Sequence, residues 1–295
     1  MNFPPVIDST MLNDFRRCPQ LFYERYIACL KPPGESVDLV FGAAFAKGIE
    51  VTRKAFFYDG CAQDTAIALG GQAAMREWGS FEEPVGHKKT RNALMLTHYE
   101  YFEQWPMSDP PYPLYENSIE FTFSVPLPNI RHPDTGDPMA YAGKFDMLGG
   151  DRQGLIYPVD EKTTGSPFFN WAKGWDLWGQ FIGYVWGCQH LEYPVNKLLV
   201  RGIYINTNQN KFVQHFAQFT PAVINRWVDD MQEDLERMIW MYKRQKFRRI
   251  YGTGCKYYRP CSFLELCEAE RREDWLSLYE QAPQWNPLEK PGGEL

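Results

Sequence analysis

Two aspartates and a lysine stand at spacings that bring them to one place. In the stretch YAGKFDMLGGDRQGLIYPVDEKTTGS, Tyr141 to Ser166, an apolar run reaches Gly149 and Gly150, Asp151 to Gly154 carry turn chemistry, and a second apolar run restarts at Leu155. That pattern predicts a β-hairpin. With the turn centred near Gln153, Asp146 and Asp160 each lie seven positions from it and face each other, and opposed Cβ atoms are roughly 4.5 to 5.5 Å apart. Side chains alternate along a strand, so Lys162 emerges beside Asp160 while Glu161 points to the other face. Two carboxylates sharing one point repel unless a divalent cation lies between them. A hard cation such as Mg²⁺ or Mn²⁺ takes such oxygen ligands and keeps waters that can become nucleophiles. Taken alone, Asp-x-Lys reads equally as a solvated strand end with an ion pair.

Gln180 and Tyr184 follow at i,i+4 spacing in WAKGWDLWGQFIGYVWGCQH, on one face of a predicted helix directly after the hairpin. Gly143 with Asp146, then Asp160, Lys162 and Thr163, then Gln180 and Tyr184 resemble, in order and spacing, the RecB-type branch of the PD-(D/E)XK nuclease superfamily. Its pattern is G-x-x-D, then D-x-K-T, then Q-x-x-x-Y. The resemblance implies an α/β fold with a restriction-endonuclease-like core, a central mixed sheet of about five strands flanked by helices. It also implies a metal-dependent DNA nuclease, an exonuclease on single-stranded DNA or DNA ends. Asp146 and Asp160 would hold Mg²⁺ or Mn²⁺, with the carbonyl of Glu161 as a further ligand. Lys162 would orient or help activate the attacking water, and Gln180 and Tyr184 would hold the substrate strand or support the site.

The resemblance extends to both ends of the chain. The run S-x-M-L-x-x-F-x-x-C-P-x-x-F-x-x-R-Y from Ser9 to Tyr26 is similar to the N-terminal signature of iron-sulfur nucleases in this branch, and nominates Cys18 as a cluster ligand. Cys255, Cys261 and Cys267 recur every six residues in GTGCKYYRPCSFLELC. With Cys18 they make the four thiols that a 4Fe-4S cluster or a structural zinc requires. The first gap of the trio is longer than is common in the family, which leaves zinc open. In the family the helix carrying FGAAFAKGIEVTRKAF bears G-x-x-x-H-x-x-x-E; here Gly42 and Glu50 match, but Ala46 stands where the metal-binding histidine would be. The chain then has fewer protein ligands, or Glu50 as a replacement, or it is a catalytically weak DNA-binding or assembly module of the same fold. Glu50 reads equally as a solvated helix acid.

The elements that must position these residues are legible along the chain. Ser9 starts a helix that Pro19 kinks, a second helix spans about Val40 to Tyr58, and two more fall between Cys61 and Trp105. Strands follow from Tyr115 to Val125, in the hairpin, from Val195 to Asn206 and from Lys211 to Thr220, and Thr220 with Pro221 begins a helix running to about Lys246. The expectation is one nuclease domain over residues 1–270, with a helical insertion at about 60–110 and a cysteine clasp at 250–270 that pairs with Cys18, then a C-terminal tail at 271–295 whose end, QWNPLEKPGGEL, is mobile. The 295 residues, 44% hydrophobic and 16% aromatic, can bury a sizeable core. No apolar run approaches the roughly 20 residues of a membrane span, and the start MNFPPVIDST lacks a signal-peptide pattern. A bacterial cytoplasmic setting is expected, in a normal or phage-infected cell and with no membrane partner. Seven cysteines, an odd number, suit reduced thiols; Cys29, Cys61 and Cys188 read as core.

A net charge of -6 means that a DNA partner must be met by local cations. His87, Lys88, Lys89 and Arg91 cluster at one helix start, and Arg244 and Arg248 belong to a basic run, KRQKFRR, at the end of another. Both are candidate phosphate contacts. The plainer readings are a solvated first turn and a complemented helix dipole. Trp171, Trp175 and Trp178 are candidate base-stacking groups or core, and His98 and His132 read as structural.

Overall fold

In a computed structural model, residues 2–165, 171–256 and 260–289 are described. The chain opens with β1 (Val6–Ile7), α1 (Ser9–Arg17), α2 (Pro19–Phe22), a π-helical turn (Tyr23–Ile27) and β2 (Leu30–Lys31). Asp8, rather than Ser9, caps α1, its carboxylate accepting from the Met11 N–H at 2.8 Å. The expected kinked helix is a full break. Cys18 is extended (φ -165, ψ 114), as the residue before a proline is driven to be.

Next come α3 (Val37–Phe57), α4 (Gln63–Trp78) and α5 (Arg91–Gln104). Gly79, at φ 59, ends α4 in a conformation open to glycine. The remaining elements are β3 (Tyr112–Pro113), β4 (Ile119–Arg131), β5 (Pro138–Gly150), β6 (Ile156–Thr164), a 3-10 turn (Ala172–Leu177), α6 (Gly179–His190), β7 (Lys197–Tyr204), β8 (Lys211–Gln218), α7 (Pro221–Lys243), α8 (Leu264–Glu268), α9 (Glu273–Leu276) and β9 (Glu280–Gln281).

Among the described residues the main sheet has seven strands, running β1-β5-β6-β7-β8 with β3 and β4 also paired to β5. It is mixed: β1/β5 and β6/β7 are parallel, whereas β3/β5, β5/β6 and β7/β8 are antiparallel. The five longer strands, β4 to β8, are those visible as alternating or apolar runs. The two extra ones, β1 and β3, have two residues each and cannot display a period.

Tertiary contacts divide the chain into two compact units, residues 1–34, 122–143 and 221–295 in one and 35–121 and 144–220 in the other; β4 and β5 run through both. In the first unit α1 packs on α7, whose buried residues Ile224, Trp227, Met231, Leu235 and Met238 follow helical spacing. Beside them Cys18, Leu21, Leu30, Phe263 and Leu266 form a smaller apolar cluster. Residues 271–289 of the expected tail are described, and several of them contact the rest of the first unit. There β9 pairs with β2, and the Trp285 indole donates to Asp8 at 3.1 Å. The last part of that expected tail, 290–295, lies outside the described residues.

In the second unit the core joins Phe41, Phe45 and Ile49 of α3, Trp78 of α4, Leu94 and Tyr101 of α5, and Ile203 of β7. Helices α3 and α4 approach so closely that a Cβ on Gly70 would lie 1.9 Å from the Thr52 hydroxyl and 2.5 Å from the Gly48 carbonyl. His98 is buried in that contact, 3.0 Å from the same hydroxyl, and burial pulls its imidazole down to about 4. It is structural, as expected. So is His132, whose ring bonds the Phe3 carbonyl at 2.8 Å in the first unit. No described helix is long and apolar enough to cross a membrane.

Candidate active site

Strands β5 and β6 pair Met147 with Val159, Leu148 with Pro158, Gly149 with Tyr157 and Gly150 with Ile156. Every pair is symmetric about Gln153, as the turn chemistry predicts, and one further step along this register sets Asp146 against Asp160. The ladder does not take that step. The Asp146 carboxylate accepts the Glu161 backbone N–H at 2.5 Å instead, so a side chain occupies the place of a ladder bond. Asp160 is buried. Its Oδ2 lies 2.6 Å from Lys162 Nζ, an ion pair outside hydrogen-bonding geometry, and has no hydrogen-bond partner. Lys162 Nζ in turn stands 5.6 Å from the centre of the Phe181 ring, on α6.

Glu161 takes the opposite face, as alternation requires, and is fully committed there. Arg53 of α3 reaches its carboxylate with two nitrogens, at 2.5 and 3.3 Å, and the Tyr101 hydroxyl of α5 donates to it at 2.7 Å. Arg201 of β7 joins through the same Tyr101 oxygen at 3.1 Å. Burial would raise the Glu161 carboxyl, but Arg53 beside it holds it down at about 2. The Glu161 side chain is therefore not a free ligand; its backbone carbonyl is the atom left for that role. Sequence reasoning missed Arg53, Tyr101 and Arg201, although an arginine inside the apolar strand KLLVRGIY was a signal of a buried ion pair.

Charge crowds the other face. Burial raises Asp146 well above the usual carboxylate range, and the charges of Glu161, Asp160 and Glu120 push the same way. Burial also raises Asp160, against the pull of Lys162. Glu120 is a further residue that sequence reasoning missed, since nothing in the strand from Tyr115 to Val125 singled it out. It sits at φ 60 and is ion-paired to Lys144. On α3, Glu50 is buried between Lys47 at 3.0 Å and Lys54 at 2.6 Å; burial would raise its carboxyl, yet the two lysines hold it below its ordinary value. Ala46, four residues earlier on that helix, is half-buried.

Gln180 and Tyr184 do share a face of α6: the Gln180 carboxamide donates to the Tyr184 hydroxyl at 2.8 Å, and the Tyr184 ring lies 5.4 Å from Phe145. Asp146 and Asp160 are two buried carboxylates whose mutual repulsion a hard divalent cation between them would relieve. Among the described residues, no group of three or more His, Cys, Asp and Glu side chains is arranged so that it could hold a metal ion.

The basic cluster before α5 corrects a sequence expectation. Lys89 is buried with its ammonium 2.9 Å from Asp38, and burial, then the charge of Lys88, pulls it down to about 8. Lys88 donates to the Gly165 carbonyl, and Arg91 donates to the carbonyls of Gly79 at 2.7 Å and Phe81 at 3.3 Å. These cations tie the loop between α4 and α5 to the fold through intramolecular acceptors. Trp171 and Trp175 are likewise packing residues. Their rings sit 4.8 Å apart, and a Cβ on Gly202 of β7 would come within 2.6 and 2.8 Å of them. Trp178 is half-buried against Phe181, 5.6 Å between centres.

In the first unit Arg244 and Arg248 are exposed, with the Arg244 guanidinium 4.6 Å above the Trp240 ring. Cys18, Cys255, Cys261 and Cys267 line one cavity together with Gln20, Glu24 and Arg249. The Cys18 sulfur accepts the Ile250 N–H at 3.4 Å, and the Cys261 N–H bonds the Cys255 carbonyl at 2.8 Å. Burial raises the thiols of Cys261 and Cys267. Cys29 and Cys61 are half-buried, and Cys188 is buried with its thiol pushed up to about 12.

With this geometry in view, the family is shown by sequence. The description of the PD-(D/E)XK nuclease superfamily matches residues 9–268, and the chain belongs to that superfamily. No curated protein matches it. Solved structures it is similar to include the "Putative exonuclease" from Eubacterium rectale, at 12% identity over 86% of this chain and 88% of that one with a TM-score of 0.48. Another is SSO0001, at 15% identity over 77% and 84% with a TM-score of 0.35.

Proposed function

We propose that this member of the superfamily is a metal-dependent DNA nuclease of the RecB-like kind, an exonuclease on single-stranded DNA or DNA ends, working with Mg²⁺ or Mn²⁺. The observation that carries the reading is the end of the β5/β6 ladder, where Asp146, Asp160 and Lys162 meet with a buried carboxylate oxygen lacking a hydrogen bond. Asp146 and Asp160 hold the cation, with the Glu161 carbonyl as a further oxygen. When bound, the cation polarises the phosphate and lowers the pKa of a water. Lys162 orients that water and offsets phosphate charge, Asp146 is fixed by the Glu161 N–H, and Gln180, held by Tyr184, meets the substrate strand. Arg244 and Arg248, both exposed, are the candidate phosphate contacts.

The test is degradation of end-labelled single-stranded and duplex DNA with Mg²⁺ or Mn²⁺, with and without a chelator. Cleavage is expected only with the cation, and a loss of at least about a hundredfold in Lys162→Ala. DNA retention without cleavage would instead support the binding-module reading that Ala46 raised.

A 4Fe-4S cluster on Cys18, Cys255, Cys261 and Cys267 completes the proposal, supported by the four thiols lining one cavity. Such a group would join residues more than two hundred positions apart, so its binding free energy would appear as folding stability. Protein purified without oxygen is expected to be brown and to contain iron, and Cys261→Ser to be colourless and protease-sensitive. Stoichiometric zinc with no iron in anaerobic protein would replace the cluster by the zinc alternative.

A further inference from the structure

At the end of α7 the first unit carries charge opposite to that of the whole chain. The run KRQKFRR, residues 243–249, holds five cations in seven residues, in a chain of net charge -6. Closing the helix does not require their side chains, because the backbone does it. Gln245 turns the chain at φ 51, its N–H reaches the Tyr242 carbonyl at 2.9 Å, and the Lys246 N–H reaches the Met241 carbonyl at 3.1 Å. Phe247 then packs beside Tyr23 and Phe22, at 5.1 and 6.3 Å between ring centres, and the Arg248 carbonyl accepts the Gln20 N–H at 3.1 Å. The segment is thus anchored by a buried Phe247 while Lys243, Arg244, Lys246 and Arg248 stay exposed around it. Among the described residues none of these four forms an ion pair, whereas Arg249 bonds the Cys267 thiol.

Aromatic surface accompanies the charge. Trp240, on the last turn of α7, is 56% exposed although the Arg244 guanidinium stands 4.6 Å over its ring, and Tyr251 is 77% exposed. The guanidinium holds the indole in place and leaves it open to contact. One exposed aromatic alone would need no explanation. Two of them bracketing a row of exposed cations match the two kinds of group that an unpaired strand presents, phosphates and bare base faces. We propose that Trp240, Arg244, Lys246, Arg248 and Tyr251 form a docking surface for single-stranded DNA, the rings stacking on bases and the cations meeting phosphates. This rests on the nuclease reading above and deepens it by choosing the single strand among its substrates. In a duplex the base faces are covered by their neighbours, so only the cations act there. Sequence preference is weak, since every base has a π-face.

The experiment follows fluorescence anisotropy of a labelled oligothymidine and of a mixed-sequence duplex of equal length, with the full chain in chelator so that neither is cleaved, and reads melting in parallel. Trp240→Leu is expected to weaken oligothymidine binding roughly five- to a hundredfold, with Trp240→Phe recovering most of it and duplex binding changed far less. Arg248→Ala should weaken both DNAs and make the plot of log affinity against log salt shallower by about 0.7 on the single strand. A tryptophan that serves only the helix end predicts instead that Trp240→Leu lowers the melting temperature and leaves oligothymidine affinity unchanged. That result, or equal wild-type affinity for the two DNAs, overturns the inference. Divalent-dependent cleavage by wild type in either case keeps the nuclease reading, whereas wild type that neither binds nor cleaves DNA overturns that reading as well.

Discussion

Asp160→Asn is expected to abolish divalent-dependent cleavage, a loss of about a thousandfold or more, while leaving the metal-free protein as stable as wild type or slightly more stable. The two effects separate because the carboxylate plays opposite parts in the two states. With a cation it is a ligand. Without one it is a buried charge near Asp146, raised by burial and only partly offset by Lys162. Asparagine keeps the shape and removes the repulsion, and Lys162 still has Asp146 as a counter-charge. The measurement is DNA cleavage beside thermal melting in chelator. A fall of many degrees in the metal-free Asp160→Asn variant would show that Asp160 is there for its ion pair with Lys162, and the site would have to be sought elsewhere.

Arg53→Met is expected to cost about 3–5 kcal/mol of stability, the penalty for leaving a buried carboxylate without its partner. Arg53 is 3% exposed and Glu161 5%, so neither can turn to water for compensation. Tyr101 remains, but one hydroxyl cannot neutralise a charge. Pairing the change with Glu161→Leu should recover part of the loss, because the double variant removes both members of the pair and leaves Arg201 on the Tyr101 hydroxyl and the Gln214 carboxamide, and urea unfolding of the two single and the double variants measures the coupling directly. If Arg53→Met costs under about 1 kcal/mol, the pair behaves as a surface contact and the network does not support the site. A loss that the double variant fails to recover would point to the packing of the arginine stem on Tyr101 instead.

Several features were decided locally and could be read from residue order. Turn chemistry around Gln153 set the hairpin register, the two-residue alternation put Asp160 and Lys162 on one face and Glu161 on the other, and i,i+4 spacing put Gln180 against Tyr184. Each depends on dihedral periods that act over a few residues, so distant chain cannot alter them. Helix ends were less legible. Asp8 rather than Ser9 caps α1, since both residue types serve and only the backbone at the cap chooses between them.

What the tertiary structure alone decided concerns partners far apart in sequence. Lys89 and Arg91 look like a phosphate-binding cluster until packing buries one on Asp38 and spends the other on loop carbonyls. Glu161 and Arg53 are 108 positions apart, and nothing local in either segment names the other. Glu120 is an unremarkable strand residue in the sequence; its left-handed backbone and its ion pair with Lys144 arise where β4 pairs with β5. Composition and spacing determine which side chains are available, and burial decides which of them remain free to meet a cation, because a buried charge takes the nearest opposite charge the fold provides.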